Sequence, residues 1–447
     1  MDNSLLDRLP KFGGRDAMIY DGTTFSYSYL LDRMEDWGGY LDGRGVARGN
    51  VVTIEGAYSP EVCAGFLALI DRGAIIVPLS SVPEAKRNEF LDVAQVEAVI
   101  NVDGRGKRHC ERTGRQAENE LYDQLRCDLR PGLVLFSSGT SGHCKASVLD
   151  FEKVLRRYSD QSRSRRILSF LSLDHIGGIN TLLHTLSQGG TIVTAAERTP
   201  ECVFTAITEH QVQILPTTPT FLNMVLISRA YERYSTETLE LVTYGTEPMP
   251  LQTLQRLTAA LPHVRFKQTY GLSELGILPT RSRSNDTLWL KLGGAGFEHK
   301  VVDGILWIRS EMAMLGYLNA PAPFDEEGFF NTQDMVEVDG EHVRVLGRRS
   351  DIINVGGEKV YPSEVENVLL EIPNVAEATV TGQASQVTGM VVKATVQLVN
   401  DEDEQPVRSR VRQYCRQRLE PFKVPVVIEV SKAAQHSERF KKIRSVR

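Results

Sequence analysis

Strand-like and helix-like segments alternate in the first part of the chain, and this pattern restricts the fold more than any other feature. Residues 30–41 and 62–71 have apolar side chains at helical spacing, whereas residues 51–55 and 74–78 are short apolar runs typical of strands. Strands that alternate with helices indicate a parallel sheet. The alternation continues, with strands predicted at 192–194, 214–217 and 241–244 and helices at 201–210, 219–229 and 250–261.

Composition narrows the class of protein and of partner. With 447 residues, 41% of them hydrophobic and 24% charged, the chain is long enough for two or three domains with full cores. It has no run of ~18 apolar residues and opens with polar and acidic residues, so we expect no membrane span, no signal peptide and a cytoplasmic location. A net charge of −6 argues against a nucleic-acid partner, and six widely spaced cysteines indicate neither a zinc site nor a disulfide framework.

Residues 133–146, LVLFSSGTSGHCKA, are an apolar strand followed by a loop of hydroxyls and glycines that ends at Lys145. Glycines let backbone N–H groups close on an anion, hydroxyls add donors and the lysine adds a charge, so the loop suits a phosphate. It is not a P-loop, because Cys144 precedes the lysine and Ala146 follows it. A solvated turn is the alternative. The candidate phosphate ligands are Ser137, Ser138, Gly139, Thr140, Ser141, Gly142 and Lys145.

Further segments that combine glycines with polar side chains follow downstream. In residues 169–180, SFLSLDHIGGIN, a strand is predicted to end at His175, with two glycines leaving an open cleft beside the imidazole; a histidine that only packs is the alternative. Beyond residue 287, short alternating strands separated by turns predict a small antiparallel, β-barrel-like subdomain. The other segments are YGTE (244–247), QTYGLSE (268–274), NTQD (331–334) and GRRSDIINVGGEKVYPSEVE (347–366).

In this order, the loop and these segments resemble the signatures of the adenylate-forming enzymes, the superfamily of acyl-CoA synthetases, peptide-synthetase adenylation domains and beetle luciferases. The loop is similar to Ser/Thr-Ser-Gly-Thr-Thr-Gly-x-Pro-Lys-Gly, and residues 347–366 follow Gly-Arg-x-x-Asp-x-Ile-x-x-x-Gly-x-x-Val-x-Pro-x-Glu-Val-Glu. The resemblance covers nearly the whole chain. It departs at Cys144 and Ala146, at Asp174, which takes an aromatic position, and at Gln333, which takes a glycine position.

The resemblance implies roles for the matching residues. His175 would gate the acyl pocket, Tyr270 would offer an aromatic face to adenine, and Glu274 would supply a carboxylate to Mg²⁺. Because the amine-binding position of amino-acid-activating relatives falls on Ile176, we favour an acid without an α-amino group. The remaining implied contacts are Gly245, Thr246, Glu247 and Thr269 around adenine, Ser273 to phosphate, Asp334 and Arg348 to ribose, and Gly356 and Gly357 to the pantetheine arm of CoA.

A lysine near the end of the chain is also implied. The family closes with Gly-Lys-Ile/Val-x-Arg, and this chain has SERFKKIR at 437–444. Matching Lys-Ile selects Lys442, whereas counting without a gap from Lys423 selects Lys441. We predict that Lys441 bridges the substrate carboxylate and the α-phosphate. A solvated basic tail is the alternative.

The sequence thus predicts an α/β fold: a large N-terminal domain with parallel sheets and a β-barrel-like subdomain, residues 1–349, hinged to a small α+β domain, residues 350–447. The implied reaction converts a small carboxylic acid and ATP, with Mg²⁺, to acyl-AMP and then to a thioester with CoA. Transfer to the phosphopantetheine of an acyl carrier protein, or amino-acid activation, is the first alternative. A protein that only binds nucleotide and a luciferase-like oxygenase are the others.

Overall fold

The structure, a computed structural model, describes residues 5–80, 82–138, 144–160, 162–386, 388–431 and 442, with only the backbone of Ser138. Within these ranges, no helix combines the length and the apolar character needed to cross a bilayer. The helices are α1 (Leu5–Arg8), α2 (Tyr27–Gly43), α3 (Pro60–Arg72), α4 (Glu84–Val93), α5 (Glu120–Cys127), α6 (Phe151–Arg156), α7 (Ile176–Ser187), α8 (Pro200–His210), α9 (Pro219–Ser228), α10 (Ala230–Arg233), α11 (Leu251–Ala260), α12 (Pro362–Leu370) and α13 (Glu404–Arg416).

The strands fall into four groups along the chain. The first two groups are β1 (Asp16–Tyr20), β2 (Thr23–Ser26), β3 (Val51–Glu55), β4 (Ile75–Leu79), β5 (Ala98–Val102), β6 (Arg108–Arg112), β7 (Gly132–Ser138) and β8 (Cys144–Asp150), then β9 (Arg166–Leu168), β10 (Thr191–Val193), β11 (Ile214–Thr217), β12 (Leu241–Tyr244), β13 (Arg265–Gln268), β14 (Tyr270–Leu272) and β15 (Gly276–Leu278). The last two are β16 (Thr280–Ser282), β17 (Leu290–Leu292), β18 (Phe297–Val302), β19 (Ile305–Ser310), β20 (Gly316–Tyr317), β21 (Phe330–Asp339) and β22 (His342–Arg348), then β23 (Ile353–Val355), β24 (Glu358–Val360), β25 (Val375–Ser385), β26 (Gly389–Leu398) and β27 (Val427–Val430).

One sheet has the order β20-β8-β7-β4-β3-β5-β6. Its central strands β3, β4, β5 and β7 pair in parallel, while β8 and β20 are added antiparallel at one edge. Every residue of β3 and β4 is buried, as expected for continuous apolar runs covered on both faces. The parallel sheet predicted from the alternation of strands and helices is confirmed.

A second sheet has the order β13-β12-β11-β9-β10-β1-β2 and is parallel except for the β1–β2 hairpin. Along β11, β12 and β13, buried residues alternate with less buried ones. Leu215, Val242 and Phe266 enter the hydrophobic core on one face of the sheet. Because side chains alternate across a strand, their neighbours Pro216, Thr243 and Lys267 point to the opposite face. That face forms one wall of the cavity described below.

Residues 280–348 form an antiparallel sheet of order β16-β17-β22-β21-β19-β18, and residues 353–430 form another in which β23, β24, β25 and β26 pair antiparallel and β27 joins in parallel. The second of these has its own hydrophobic core with α12 and α13, which includes Leu369, Val380 and Val411. The predicted α/β fold with a large N-terminal part and a small C-terminal part is confirmed. The boundary between residues 349 and 350 stays a prediction.

Candidate functional site

The Ser/Gly loop connects two strands of a hairpin. Strands β7 and β8 pair antiparallel, and Ser137 lies opposite Lys145. The side-chain amide of Asn319 fastens the start of β8, because it accepts from the amide of Ala146 (3.1 Å) and donates to the carbonyl of Cys144 (2.8 Å). The predicted phosphate ligands Gly139, Thr140, Ser141 and Gly142, and the side chain of Ser138, lie outside the described residues.

Glu274 lies beside the ends of β7 and β8 that flank the loop. Its carboxylate is 8% exposed, and its Oε1 accepts from the Tyr317 hydroxyl (2.8 Å) and from the Ser137 hydroxyl (3.4 Å). The ammonium of Lys145 lies 5.1 Å from the centre of the Tyr317 ring. In the part of the chain that the structure describes, Lys145 forms no ion pair and Glu274 Oε2 accepts no hydrogen bond. We call Ser137, Lys145, Glu274 and Tyr317 the Glu274 cluster.

Sequence reasoning missed Tyr317. It lies on the two-residue edge strand β20, which pairs with β8 and so places the ring over Lys145. Burial and the neighbouring Glu274 carboxylate raise the pKa of the phenol well above its ordinary value, so the hydroxyl stays a donor. A Gly-Tyr pair has no distinctive spacing to any other motif, and only the pairing of β20 with β8 reveals its position.

Asp334 and Arg348 face each other across the β21–β22 ladder. Arg348 Nε lies 3.5 Å from one carboxylate oxygen of Asp334, and the hydroxyl of Tyr270 donates to the other. Burial raises the pKa of Asp334, while Arg348 opposes this effect. Tyr270 is itself 8% exposed, so its ring packs in the core as well as bordering the site. Gln333, in the position of the family's glycine, has a left-handed backbone with φ of 61°.

The ends of β12 and β13 lie against each other. A β-carbon at Gly245 would lie 2.6 Å from Thr269 Oγ1 and 2.8 Å from the carbonyl oxygen of Thr269, so only glycine fits there. The next residue, Thr246, is exposed and has φ of 74°, a conformation that is unusual for a β-branched residue. Glu247 Oε1 accepts from the amide of Thr220 (2.8 Å) at the start of α9, which gives this carboxylate a structural role. Ser273 is half-buried in the turn that ends at Glu274.

His175 forms the N-cap of α7, and its Nδ1 accepts from the amide of Gly177 (3.0 Å). The prediction that a strand ends at His175 is wrong, because β9 ends at Leu168 and a turn leads into α7. His175 and Gly177 both line the cavity described below, in agreement with the predicted open space beside the imidazole. A β-carbon at Gly178 would lie 2.0 Å from the carbonyl oxygen of Ser172, so this second glycine allows close packing of the helix instead.

A cavity of about 290 Å³ lies between one face of α7 and strands of the second sheet, among them β11, β12 and β13. His175, at the start of α7, lines it, as does Gly245, which follows the carboxyl end of β12, where ligands bind in open α/β sheets. Its volume is at the lower end of small-molecule pockets. The residues of the second sheet that line it are Ile167, Ile214, Pro216, Thr217, Leu241, Thr243 and Lys267, and Gly271, Ile277, Leu278 and Thr280 of β14, β15 and β16 also line it.

The C-terminal candidates lie in two places. Gly356 and Gly357, with φ of 60° and 97°, form the exposed turn between β23 and β24. Lys442 donates from its amide to Glu247 Oε2 (3.0 Å) and from its ammonium to the buried carboxylate of Glu366 (2.9 Å). The ammonium of Lys442 is therefore part of a buried ion pair. Lys441 lies outside the described residues, so its role stays a prediction.

A multidentate metal centre does not occur in the described ranges, which contain no group of three or more His, Cys, Asp or Glu side chains placed to hold a metal ion. The metal site predicted at Glu274 therefore has no cluster of three or more His, Cys, Asp or Glu side chains among the described residues. This donor set suits Mg²⁺, which is usually held by one or two carboxylates together with substrate phosphates.

Comparison with known proteins relates this geometry to a family. A family profile described as AMP-binding enzyme matches residues 6–318, and one described as AMP-binding enzyme C-terminal domain matches residues 364–441. The chain is 26% identical to the indoleacetate–CoA ligase of Aromatoleum aromaticum (92% of this chain, 90% of that protein) and 27% identical to the 2-succinylbenzoate–CoA ligase of Bacillus velezensis (95% and 92%). It is similar to the crystal structure of the anthranilate CoA ligase AuaEII in complex with anthranoyl-AMP, with a TM-score of 0.83 at 20% identity (98% and 95% covered).

Proposed function

Because this chain belongs to the family of AMP-binding enzymes, we propose that it activates a carboxylic acid with ATP and transfers the acyl group to the thiol of coenzyme A. In the first half-reaction a carboxylate oxygen attacks the α-phosphorus of ATP, the bond to pyrophosphate breaks, and acyl-AMP remains. In the second the thiol sulfur attacks the acyl carbon, the bond to AMP breaks, and the thiol proton passes to solvent. The products are a thioester and AMP.

The observation that carries this proposal is the Glu274 cluster. Two anions, the acid and the triphosphate, must approach each other in the first half-reaction, so catalysis depends on positioning and on cations. Lys145 has no acidic partner among the described residues and lies next to the phosphate loop, where its charge is available to a phosphate. A lysine that served only to stabilise the fold at this half-buried position would be expected to have an ion-pair partner.

Glu274 fits a Mg²⁺ ion that arrives with the nucleotide. Its Oε1 is fixed by the hydroxyls of Tyr317 and Ser137, which leaves Oε2 to serve as a ligand. When bound, Mg²⁺ would neutralise charge on the phosphates. The protein's part is to hold the carboxylate in one orientation, because a ligand fixed by other side chains binds a metal more strongly than one that moves.

The remaining contacts fit the nucleoside and the acid. Asp334 offers a buried carboxylate that can accept from both ribose hydroxyls, with Arg348 alongside. Gly245 and Thr269 line the cavity, and adenine would lie against their backbone. The cavity beyond His175 would take the acyl group. Transfer to a carrier protein is the second candidate, and the names of the relatives, which are CoA ligases, favour CoA.

Variants of Lys441 and Lys442 test which of these two adjacent lysines takes part in adenylation. Lys441→Ala should lose adenylation by roughly 10²-fold or more, the scale of one electrostatic stabiliser, yet still convert supplied acyl-AMP and CoA to thioester. Lys442→Ala should instead lower stability, because it removes the ammonium that lies 2.9 Å from the buried carboxylate of Glu366, and removing one partner of a buried ion pair costs about 3–5 kcal/mol. If Lys442→Ala stops adenylation in protein that remains folded, the register is off by one residue.

The proposal is tested by exchange of labelled pyrophosphate into ATP over a panel of carboxylic acids, followed by thioester formation with CoA. We expect exchange that depends on the acid, and thioester that depends on both ATP and CoA. A folded protein that binds ATP but exchanges no pyrophosphate with any acid would be a nucleotide-binding protein without this activity. Exchange without CoA thioester, together with loading of a carrier protein, would establish the second candidate.

A further inference from the structure

Three basic side chains, Arg157, His184 and Lys267, line the cavity that separates α7 from the second sheet. They come from three different parts of the chain: the residue after α6, the last turn of α7, and β13. Among the described residues that line the cavity there is no aspartate or glutamate. The cavity therefore holds a guanidinium, an ammonium and an imidazole without an acidic partner from the described lining.

The three side chains are close enough to influence one another. The pKa of His184 is lowered, chiefly by burial and then by Arg157 and Lys267. The pKa of Lys267 is also lowered, chiefly by burial and then by the neighbouring cations Arg265 and Arg157. Burial likewise lowers the pKa of Arg157. Neighbouring cations thus act on His184 and Lys267, and an anion in the cavity would oppose both this effect and the cost of burying Arg157.

These side chains are not simply solvated surface groups. Arg157 Nη1 is inaccessible to solvent and forms no hydrogen bond to any described residue. The Phe297 ring lies 6.0 Å from the guanidinium and supplies no full negative charge. Native proteins pair nearly all buried polar groups, and an unpaired one calls for a ligand or a functional explanation.

The fold places the three basic side chains, Arg157, His184 and Lys267, away from the reacting end of the cavity. Lys267 lies level with Thr243 in the β12–β13 ladder, and Thr269, just past the end of β13 at Gln268, is two residues farther on, which is about 7 Å for an extended chain. His184 follows His175 by nine residues, which is roughly 13 Å along the helix axis. A ligand that reached from the strand ends to Arg157, His184 and Lys267 would therefore need several bonds between its two ends.

We propose that the acid activated by this protein carries a second anionic group, which Arg157, His184 and Lys267 bind at the far end of the cavity. The proposal rests on the proposed function, because it assigns the reacting carboxylate to the end of the cavity near His175. A second carboxylate and a sulfonate share the required chemistry: each offers oxygen acceptors to a guanidinium and to an ammonium. Asn180, which also lines the cavity, is a further polar contact for such a group.

The activity test compares matched acids. Adipate, suberate, sebacate and terephthalate are each paired with the monocarboxylic acid of the same skeleton, and sulfonate analogues identify the preferred anion. We expect pyrophosphate exchange with at least one two-charged acid to exceed that with its matched monoacid by about 10- to 100-fold in kcat/KM, the range for hydrogen bonds to a charged group. Lys267→Met should remove most of this preference, and Arg157→Leu is the second variant.

Arg265→Met is the matched control, because Arg265 is an exposed cation two residues away on the same strand. It should change the preference less than twofold. Lys267→Met removes a charge without a described partner, so we expect its melting temperature without ligand to equal or exceed that of the wild type. Circular dichroism of each variant establishes that it is folded before its preference is interpreted.

A second readout does not depend on catalysis. The preferred two-charged acid should raise the melting temperature of the wild type and of Arg265→Met, but not that of Lys267→Met. Equal use of monoacids and two-charged acids, or a preference that survives in both Lys267→Met and Arg157→Leu, would overturn the inference and leave the proposed function standing. Melting shifts that require Lys267, without exchange by any acid, would instead overturn the reaction and retain the anion site.

Discussion

Replacing Glu274 by glutamine separates the charge of this side chain from its shape. The glutamine carbonyl can still accept from Tyr317 and Ser137, so the cluster keeps its hydrogen bonds. Neutral hydrogen bonds are weaker than charged ones, by about 1 kcal/mol, but the variant also escapes the cost of burying a carboxylate. We therefore expect the free energy of unfolding of Glu274→Gln to stay within about 1 kcal/mol of the wild type.

Activity should respond much more strongly. Loss of one electrostatic stabiliser lowers the rate by roughly 10²-fold or more, which corresponds to about 2.7 kcal/mol of transition-state free energy. The assay is pyrophosphate exchange at several Mg²⁺ concentrations, because a weakened metal site should need more Mg²⁺ to reach its maximum. Urea unfolding of the same preparations measures stability.

Tyr317→Phe is the matched control, since it keeps the carboxylate and removes only the donor at 2.8 Å. We expect the opposite pattern: a stability loss of about 1.5–3 kcal/mol, because a charged acceptor loses one hydrogen bond, and a smaller loss of exchange than in Glu274→Gln. Exchange within a few-fold of the wild type in folded Glu274→Gln would refute the assignment of Glu274 to the metal.

Three further predictions concern other positions. Asp334→Ala should weaken ATP binding by about 2–3 kcal/mol, because a buried charged acceptor is lost, and should weaken binding of the carboxylic acid far less. Calorimetric titrations with ATP and with the acid compare the two losses, and a larger loss for the acid would make Asp334 a structural residue only. Gly178→Ala should lower the free energy of unfolding by about 1–3 kcal/mol, because its β-carbon would lie 2.0 Å from the carbonyl oxygen of Ser172. Gly39→Ala, in α2 with nothing within 4 Å of the added β-carbon, should instead raise the free energy of unfolding by about 0.5–1 kcal/mol. Urea unfolding measures both variants, and equal effects would contradict the packing argument. Burial places the folded-state pKa of His184 below its ordinary value of 6.5, so the unfolded chain binds the proton more readily and stability is lost as the pH falls below that value. Between pH 7 and pH 5, the free energy of unfolding should therefore fall less in His184→Gln than in the wild type. An equal dependence of this free energy on pH in both proteins would show that His184 does not contribute.

The sequence predicted the parts of the site that one short stretch of chain specifies. Asp334 and Arg348 were assigned from separate motifs, and the β21–β22 ladder places them opposite each other. Ser137 and Lys145 were assigned from the Ser/Gly loop and Glu274 from a separate motif, and the three lie in one cluster. Their roles stay predictions, but their convergence follows from strand ends that meet at one edge of the sheets.

What the sequence did not reveal depends on contacts between distant elements. Tyr317 contacts Glu274 only because β20 pairs with β8, and a two-residue strand leaves no periodic signal. Arg157, His184 and Lys267 are 27 and 83 residues apart along the chain and belong to no motif. The turn before α7 was missed for a related reason, because a glycine pair has the same appearance whether it opens a cleft or allows close packing.

The backbone of Thr246 has a consequence for variants selected in the laboratory. A β-branched residue held at φ of 74° costs on the order of 1–2 kcal/mol, and glycine or asparagine at this position would escape much of that cost. A library screened only for heat resistance should therefore accumulate Thr246→Gly and Thr246→Asn. The turnover number of the selected variants would show how far the strained conformation of Thr246 shapes the cavity wall beside Gly245. If heat-resistant variants at this position repeatedly lose turnover, the strained backbone contributes to activity.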